Sequence, residues 1–355
     1  MQISEFIARS SNVSALEIYA FPWTGRKTSP SDDALSQFLD LLLPQSSRWS
    51  RLTFQDHEYL RLAFHTRTNI QLPKLRHLTT SYDDDFREGT PIWANWEMRL
   101  LNSYSAVSFA DTYFWPQLEV TDCKLRLSGE SLDIARLTEC LNGMRQLQNL
   151  TPNCNLSGID VSTVLTNPME NVVVLSIHSL ALRLSCMESN CGVQFKYLQR
   201  IYSHVQFREL SQLEITLDRL VDRLAHLATA GLSPYPSKFD FVDLNIDSGS
   251  SHISESFGII SRLLPGVTNV GELRIDTLQS SPLFLMGGGA SPGVRAISFK
   301  RCEWLSEGDL SDLITMYVDQ GNVRSLNIIA CRNVSEEFIR GNARRAKMKM
   351  RWSLY

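Results

Sequence analysis

Residues 294–305 (VRAISFKRCEWL) and 323–334 (VRSLNIIACRNV) decide the fold of this chain, because the two segments align position for position without a gap. Each segment has apolar residues at its first, fourth, sixth and twelfth positions and a cysteine at its ninth. Ile297 and Leu326 are 29 residues apart, and so are Cys302 and Cys331. A shared spacing of this length indicates a repeat architecture, in which each copy forms one structural unit that stacks on the next.

The apolar positions of these two copies recur along the rest of the chain. Cys123 takes the ninth position of a copy that begins at Trp115, and degenerate copies lie near Leu75, Leu147 and Leu198. A strand triplet followed by a cysteine at the ninth position is typical of leucine-rich repeats. The upstream triplets are Val13/Leu16/Ile18, Trp49/Leu52/Phe54, Trp115/Leu118/Val120, Val172/Leu175/Ile177, Leu210/Leu213/Ile215, Phe241/Leu244/Ile246 and Val270/Leu273/Ile275.

Amphipathic segments between the triplets predict helices. They follow Ser31 (Leu35, Phe38, Leu39, Leu42 and Leu43, ended by Pro44), cover Leu217, Leu220, Val221 and Leu224, and follow Ser254 (Phe257, Ile260 and Leu264) and Ser306 (Leu310, Leu313, Ile314 and Tyr317). Strands that alternate with helices in this order form parallel sheets. The sequence therefore predicts an α/β fold, a leucine-rich-repeat-like solenoid with parallel strands on the inner face and helices on the outer face.

The pattern divides the chain into three parts. Residues 1–12 are predicted to cap the N-terminal end, residues 13–345 to form the degenerate repeat solenoid, and residues 346–355 to close it with a strand. Residues 79–114 interrupt the pattern and indicate an insertion or an irregular repeat. The closing strand is predicted because Met348, Met350, Trp352 and Leu354 alternate with basic residues. The alternative for this basic cluster is a role in nuclear import or anion binding.

Composition excludes several classes of protein. The chain has 35 basic and 38 acidic residues among 355, a formal net charge of −3, whereas a protein built mainly to hold nucleic acid shows a basic excess. No run of 18 apolar residues occurs, and residues 1–12 lack the apolar stretch of a signal peptide, so we expect no membrane segment. Seven irregularly spaced cysteines fit a reducing compartment, and we predict a cytoplasmic or nuclear protein.

Three segments could carry chemistry, and each has a simpler structural interpretation. Cys186 and Cys191, with His178 and His204 nearby in sequence, lack the second close pair of ligands that a zinc site needs. Residues 286–293 (MGGGASPG) lack the Gly-Lys-Ser/Thr ending of a phosphate-binding loop, and the acidic residues 83–85 are typical of a solvated loop. No nucleophile motif occurs, so we predict no catalytic residue, no metal and no cofactor.

Several phrases of the chain resemble the fungal-type family of F-box proteins with degenerate leucine-rich repeats. They are residues 35–54 (LSQFLDLLLPQSSRWSRLTF), 72–78 (LPKLRHL), 114–120 (FWPQLEV), 270–275 (VGELRI) and 4–18 (SEFIARSSNVSALEI). The last of these resembles the segment that follows the F-box in the family, so we expect the chain to begin after the F-box. The resemblance implies a substrate-recognition part of a ubiquitin-ligase receptor, which would bind the ligase adaptor only if an F-box were encoded upstream.

The function that follows is non-catalytic binding of a protein partner by the strand surface, because the sheets of solenoids are their usual binding faces. Polar residues expected there include Tyr19, Glu119, Asp122, His178 and Asn245, and we single out Glu214, Asp247, Arg274, Asp276, Lys300 and Arg301 as partner-binding candidates. These candidates are mainly acidic up to Asp276 and basic after it. The alternatives are a structural fragment or decayed paralogue with no dedicated partner, and an enzyme.

Overall fold

The chain is a parallel β-solenoid, seen here in a computed structural model. It contains two compact units, Met1–Leu147 and Gln148–Tyr355, which are described in turn. The structure describes residues 15–20, 32–56, 70–82, 93, 96–107, 119–128, 134–155, 173–185, 205–218, 238–247, 267–277, 293–303, 305–320, 323–346 and 348–354.

The first unit contains a parallel sheet whose strands pair in chain order, β1 to β5. Helix α1 and a following 3-10 helix connect β1 to β2, and Pro44 lies in that 3-10 helix, where the sequence predicted the end of α1. Its elements are β1 (Leu16–Ala20), α1 (Asp32–Leu42), the 3-10 helix (Leu43–Arg48), β2 (Trp49–Asp56), β3 (His77–Tyr82), β4 (Ser103–Val107), β5 (Asp122–Ser128) and α2 (Ile134–Gly143).

The second unit contains a longer parallel sheet in the order β6-β8-β10-β11-β12-β13-β14-β15, and a separate pair of strands, β7 and β9. Helix α3 connects β13 to β14, and α4 connects β14 to β15. Its elements are β6 (Asn149–Asn155), β7 (Val173–Leu175), β8 (Ser179–Ser185), β9 (Val205–Phe207), β10 (Gln212–Asp218), β11 (Lys238–Asp247), β12 (Asn269–Thr277), β13 (Gly293–Lys300), α3 (Glu307–Gln320), β14 (Ser325–Ile329), α4 (Glu336–Ala346) and β15 (Lys349–Ser353).

The apolar residue at the fourth position of each repeat forms one buried column in each sheet. Parallel pairing aligns equivalent residues of neighbouring strands, so every added strand extends the column by one residue. In the first unit the column is Ile18, Leu52, Leu78, Tyr104 and Cys123. In the second it is Leu150, Leu180, Leu213, Val242, Leu273, Ile297, Leu326 and Met350. All but the terminal Ile18 and Met350 are buried.

The turns after β13 and β14 repeat the same geometry. Arg301 and Ala330 have φ values of 51° and 52°, the left-handed conformation that reverses the chain direction at these positions. The next residues are the buried Cys302 and Cys331. The Sγ of Cys302 lies 3.4 Å from the carbonyl oxygen of Lys300, and the Sγ of Cys331 lies 3.4 Å from that of Ile329. The predicted equivalence of residues 294–305 and 323–334 is confirmed in strand, turn and buried thiol.

Helices α3 and α4 begin at serine N-caps. The backbone N–H of Asp309 donates to the Oγ of Ser306 at 3.1 Å, while the N–H of Ser306 donates to the Asp309 carboxylate at 3.0 Å, which forms a capping box. The Oγ of Ser335 accepts from the N–H of Phe338 at 3.2 Å. The helix predicted after Ser306 is confirmed, whereas α2 and α4 were not predicted. No helix within the described ranges is both long enough and apolar enough to cross a membrane.

Some predicted positions in the repeat are wrong, and two of them differ by a shift along the strand. Leu244 pairs with Ile215 and Ile275, so the column residue of β11 is Val242. Leu16 pairs with Trp49, and Ile18 takes the column place instead. Both errors are shifts of two residues, which leave a strand residue on the same face of the sheet.

Three further assignments are wrong for other reasons. Cys123 lies within β5 at the fourth position of a copy that begins at Val120, and not in a turn. Leu175 lies in β7, which is outside the main sheet. In the main sheet, Leu180 of β8 is the column residue of this repeat. Leu217 lies within β10 and is not the start of a helix.

The irregular segment and the closing segment both contain strands. Strand β4 lies within residues 79–114 and pairs with β3 and β5. Strand β15 lies within residues 346–355, with Met350 and Trp352 half-buried between the exposed Lys349 and Arg351. Leu354 is 47% exposed and does not continue that alternation. Outside the described residues lie residues 1–12, 83–85, 220–224, 254–264 and 286–292, together with Leu118, Cys186, Cys191, Leu198 and His204.

Candidate protein-binding surface

The side of each sheet opposite the buried triplets carries the candidate binding residues. We call this side the open face, and it consists of the residues at the third, fifth and seventh positions of each repeat. Because the strands are parallel and in register, equivalent open-face residues form rows across the sheet. In the second unit one row is Ala181, Glu214, Asp243, Arg274, Ser298, Asn327 and Arg351, and the next is Arg183, Thr216, Asn245, Asp276, Lys300, Ile329 and Ser353.

The register brings five of the six partner-binding candidates onto these rows or directly after them. Glu214 and Arg274 share the first row, Asp276 and Lys300 are neighbours in the second, and Arg301 directly follows β13. Asp247 is the last residue of β11, and its side chain lies outside the described part of the structure.

Arg274 is the centre of one cluster of charges. Its guanidinium lies 3.4 Å from the Asp243 carboxylate on β11 and 3.6 Å from Glu272 on its own strand. It also stacks 4.9 Å from the ring centroid of Phe241, a cation–π contact that shields the ring from water. Burial raises the pKa of Asp243, and the charge of Arg274 opposes that shift. Arg183 and Glu214 form a similar but looser pair at 3.7 Å between β8 and β10.

Asp276 is the centre of a second, tighter cluster. Although it lies on the open face, it is only 5% exposed, because Arg301 covers it. The Nε of Arg301 donates to one carboxylate oxygen at 2.8 Å and Nη2 donates to the other at 2.6 Å, a two-point contact that fixes both groups. This hydrogen bond raises the pKa of Arg301. Lys300 approaches the same carboxylate at 3.7 Å with its side chain 45% exposed.

These contacts change the predicted character of the surface. The sequence order suggested an acidic region followed by a basic one, but neighbouring strands bring acids and bases together in pairs. Asp276 is buried beneath Arg301, while Glu214, Arg274, Lys300 and Arg301 keep side chains that are 39–46% exposed and accessible to a partner. Sequence reasoning missed Glu272, Asp243 and Arg183. Their places at the third, fifth and seventh positions of their repeats could have identified them as open-face residues.

The open face of the first unit is smaller and less charged. Its first row contains Glu17 and Arg51, whose side chains lie 3.8 Å apart, followed by His77 and Asp122. Tyr19, 53% exposed, donates its hydroxyl hydrogen to Glu17 at 2.8 Å. Partial burial and the charge of Arg51 lower the pKa of His77. Glu119 is exposed just before β5.

The remaining candidates for chemistry do not converge on a site. His178 is exposed before β8, and its Nε2 lies 3.8 Å from the Glu209 carboxylate. The cysteines that the structure describes are buried free thiols; burial raises the pKa of Cys154 to about 12 and also raises that of Cys123 and Cys140. Within the described ranges, no group of three or more His, Cys, Asp or Glu residues could hold a metal ion.

Comparison with known proteins adds no relative. No family model matches this chain, and no curated protein matches it in sequence.

Proposed function

We propose that this chain is a protein-binding module whose partner lies against the open face of the second unit's sheet. In this proposal the solenoid is leucine-rich-repeat-like, with the sheet as its inner face and the helices on the outer face. The observation that carries the proposal is the set of ion pairs that join neighbouring strands, Arg183–Glu214, Arg274–Asp243 and Arg301–Asp276. Side chains fixed in this way lose little conformational freedom on binding, and this lowers the entropic cost of association.

The surface also has the polar and aromatic content that recognition of a protein requires. Phe241 contributes apolar area beneath Arg274, while the half-buried Asn245 and Asn327 offer hydrogen-bonding groups in the same rows. Charged groups at the edge of such a surface mainly change the association rate and its salt dependence, whereas paired central groups determine specificity. The partner should therefore contact Glu214 and Lys300 electrostatically and pack on the Phe241–Arg274 pair.

The family resemblance extends the proposal to the partner's role. We propose that the chain resembles the substrate-recognition part of an F-box ubiquitin-ligase receptor and acts in the cytoplasm or the nucleus. Adaptor binding in such receptors belongs to the F-box, and no adaptor-binding residue can be assigned to residues 1–355. The purified chain should therefore bind its partner but should not bind the purified ligase adaptor in a direct pull-down, and adaptor binding would contradict this part of the proposal.

A charge swap tests the proposed surface without removing an ion pair. The double variant Arg183→Glu/Glu214→Arg keeps a pair between β8 and β10 but inverts the charges that a partner meets. We expect it to keep the wild-type free energy of unfolding within about 0.5 kcal/mol, because exposed pairs contribute little to stability. Its capture of the native partner, measured by quantitative mass spectrometry after pull-down from native lysate, should fall, most clearly at low salt.

The matched control swaps an exposed pair on α4. Glu336 and Arg340 are paired one helical turn apart, so Glu336→Arg/Arg340→Glu makes the same exchange away from the open face. This variant should capture the partner as the wild type does. Equal capture by the open-face swap would place the partner elsewhere. Enrichment of no protein above empty beads would favour the alternative of a chain with no dedicated partner.

A further inference from the structure

The last three strands of the second unit form a part of the open face with a different character. The open-face positions of β13, β14 and β15 include no acidic residue. Four of them, at the centre, are small or short, and the charged ones lie at the borders. The nine positions are Ala296, Ser298, Lys300, Ser325, Asn327, Ile329, Lys349, Arg351 and Ser353.

The bases at the borders of this area are not all neutralised. Among the residues that the structure describes, no ion pair involves Lys349 or Arg351, and both are exposed. The nearest open-face acids, Glu272 and Asp276 on β12, are engaged by Arg274 and Arg301. We call Lys300, Lys349 and Arg351 the basic border.

The centre of the area lets another chain approach closely. Ala296, Ser325 and Asn327 lie side by side on β13 and β14 and are half-buried, whereas Ser298 is 2% exposed because its neighbours cover it. Side chains this short leave the space above the sheet free, while the longer basic side chains border it. Ser325 and Asn327 supply hydrogen-bonding groups for a backbone or a polar side chain laid over them.

The spacing of the bases on β15 selects the shape of the ligand. Lys349 and Arg351 are two residues apart on one strand and face the same side, which separates them by about 6.8 Å. An extended peptide places the side chains of alternate residues on one side with the same separation. Carboxylates at alternate positions of an extended peptide can therefore pair with Lys349 and Arg351 together.

We propose that the open face of β13–β15 binds an extended acidic peptide segment, with acidic residues at alternate positions, that belongs to the partner protein. This inference rests on the proposed function and names the chemistry of the partner at one end of the surface. A peptide fits better than a nucleic acid, because the chain as a whole carries a net charge of −3 and would repel a long polyanion outside this small area.

The test uses a synthetic peptide and the full chain. A fluorescein-labelled octapeptide of alternating threonine and glutamate is titrated with the chain, and binding is followed by fluorescence anisotropy at low salt. We expect saturable binding, and the dissociation constant should rise about tenfold for Lys349→Glu/Arg351→Glu, since two modest attractions become repulsions. Arg145→Glu/Arg208→Glu is the control, because it makes the same charge change at exposed positions outside β13–β15 and should alter the dissociation constant by less than about twofold.

Further probes separate this proposal from general attraction of anions. A peptide of the same composition with its glutamates in one block should bind more weakly, and so should an oligothymidylate of the same charge. The proposal is overturned if the alternating peptide does not bind, if the Lys349/Arg351 reversal has no effect, or if either comparison probe binds as tightly. Thermal unfolding by circular dichroism of both double variants ensures that the comparison is made on folded protein.

The native partner distinguishes failure of this inference from failure of the proposed function. Capture that falls with the Arg183/Glu214 swap and also with the Lys349/Arg351 reversal supports both. Capture that falls with the swap alone overturns the acidic-peptide inference and leaves the proposed function standing. Capture that responds to neither variant overturns both.

Discussion

At the scale of single residues, Gly271 shows how close neighbouring strands of this solenoid come. It lies in β12 between Val270 and Glu272, which pair with Phe239 and Phe241 of β11, so Asp240 is the residue opposite it. A Cβ atom added at Gly271 would lie well inside van der Waals distance of the Asp240 carbonyl oxygen. Backbone cannot move aside as a flexible side chain can, so the absence of a side chain is what permits this approach.

Gly271→Ala should therefore destabilise the protein by about 1–3 kcal/mol, the usual cost of forcing extra atoms into a packed site. The matched control is Gly341→Ala, because Gly341 lies in α4 with nothing within 4 Å of an added Cβ atom. That change should stabilise by up to about 1 kcal/mol, since alanine favours helix more than glycine does. Chemical denaturation of both variants measures the difference, and equal midpoints would contradict the close approach.

Single residues also show where the sequence was misleading. Cys123 follows Trp115 by the spacing of a turn cysteine, yet it occupies the column position that leucine holds in β2 and β3. Thr80 is fully buried at the sixth position of its repeat, beside Phe54. Composition could not distinguish it from an exposed threonine. In both cases the burial of the side chain is decided by the neighbouring strands, which a pattern along one strand does not contain.

At the scale of elements, the sequence predicted the existence of strands better than their register. Strand β11 has apolar residues at Phe239, Phe241, Val242, Leu244 and Ile246, so the triplet pattern fits it in two ways that differ by two residues. A shift of two keeps the same face buried, and only pairing with β10 and β12 selects one register. The open-face ion pairs could not be predicted for the same reason, because each joins residues of different strands.

β13 and β14, in contrast, were predicted correctly, and β14 allows a direct test of which side faces the core. Leu326 is fully buried in the column, whereas the adjacent Asn327 is half-buried on the open face between Ser298 and Arg351. Leu326→Ala should cost about 2–5 kcal/mol, as emptying a buried leucine site does. Asn327→Ala should change stability by no more than about 0.5 kcal/mol. Denaturant midpoints that moved equally would show that the two faces are wrongly assigned.

At the scale of the whole molecule, a solenoid is held together by contacts between neighbouring turns, so protection should vary along the sheet. In the second unit, β11 and β12 are paired on both sides, whereas β15 has one partner among the described strands. We expect the amides of β11 and β12 to exchange with deuterium more slowly than those of β15. Hydrogen-exchange mass spectrometry measures this, and uniform protection across these strands would indicate unfolding as a single block.

The matched turns after β13 and β14 have a consequence for how such a chain can lengthen. Both turns have a left-handed residue at the eighth position of the repeat and a buried cysteine at the ninth. A tandem duplication of residues 294–322 would therefore add one strand and one helix, with the column residue, the turn and the helix N-cap intact. One contact would not be copied. In the duplicated chain, Arg301 of the second copy would lie beside Lys300 of the first copy. In the present chain, Asp276 occupies that place beside Arg301. The duplicated gene product would thus begin with one repulsive contact between basic residues, and a single further substitution, Lys300→Asp in the first copy, would restore the ion pair.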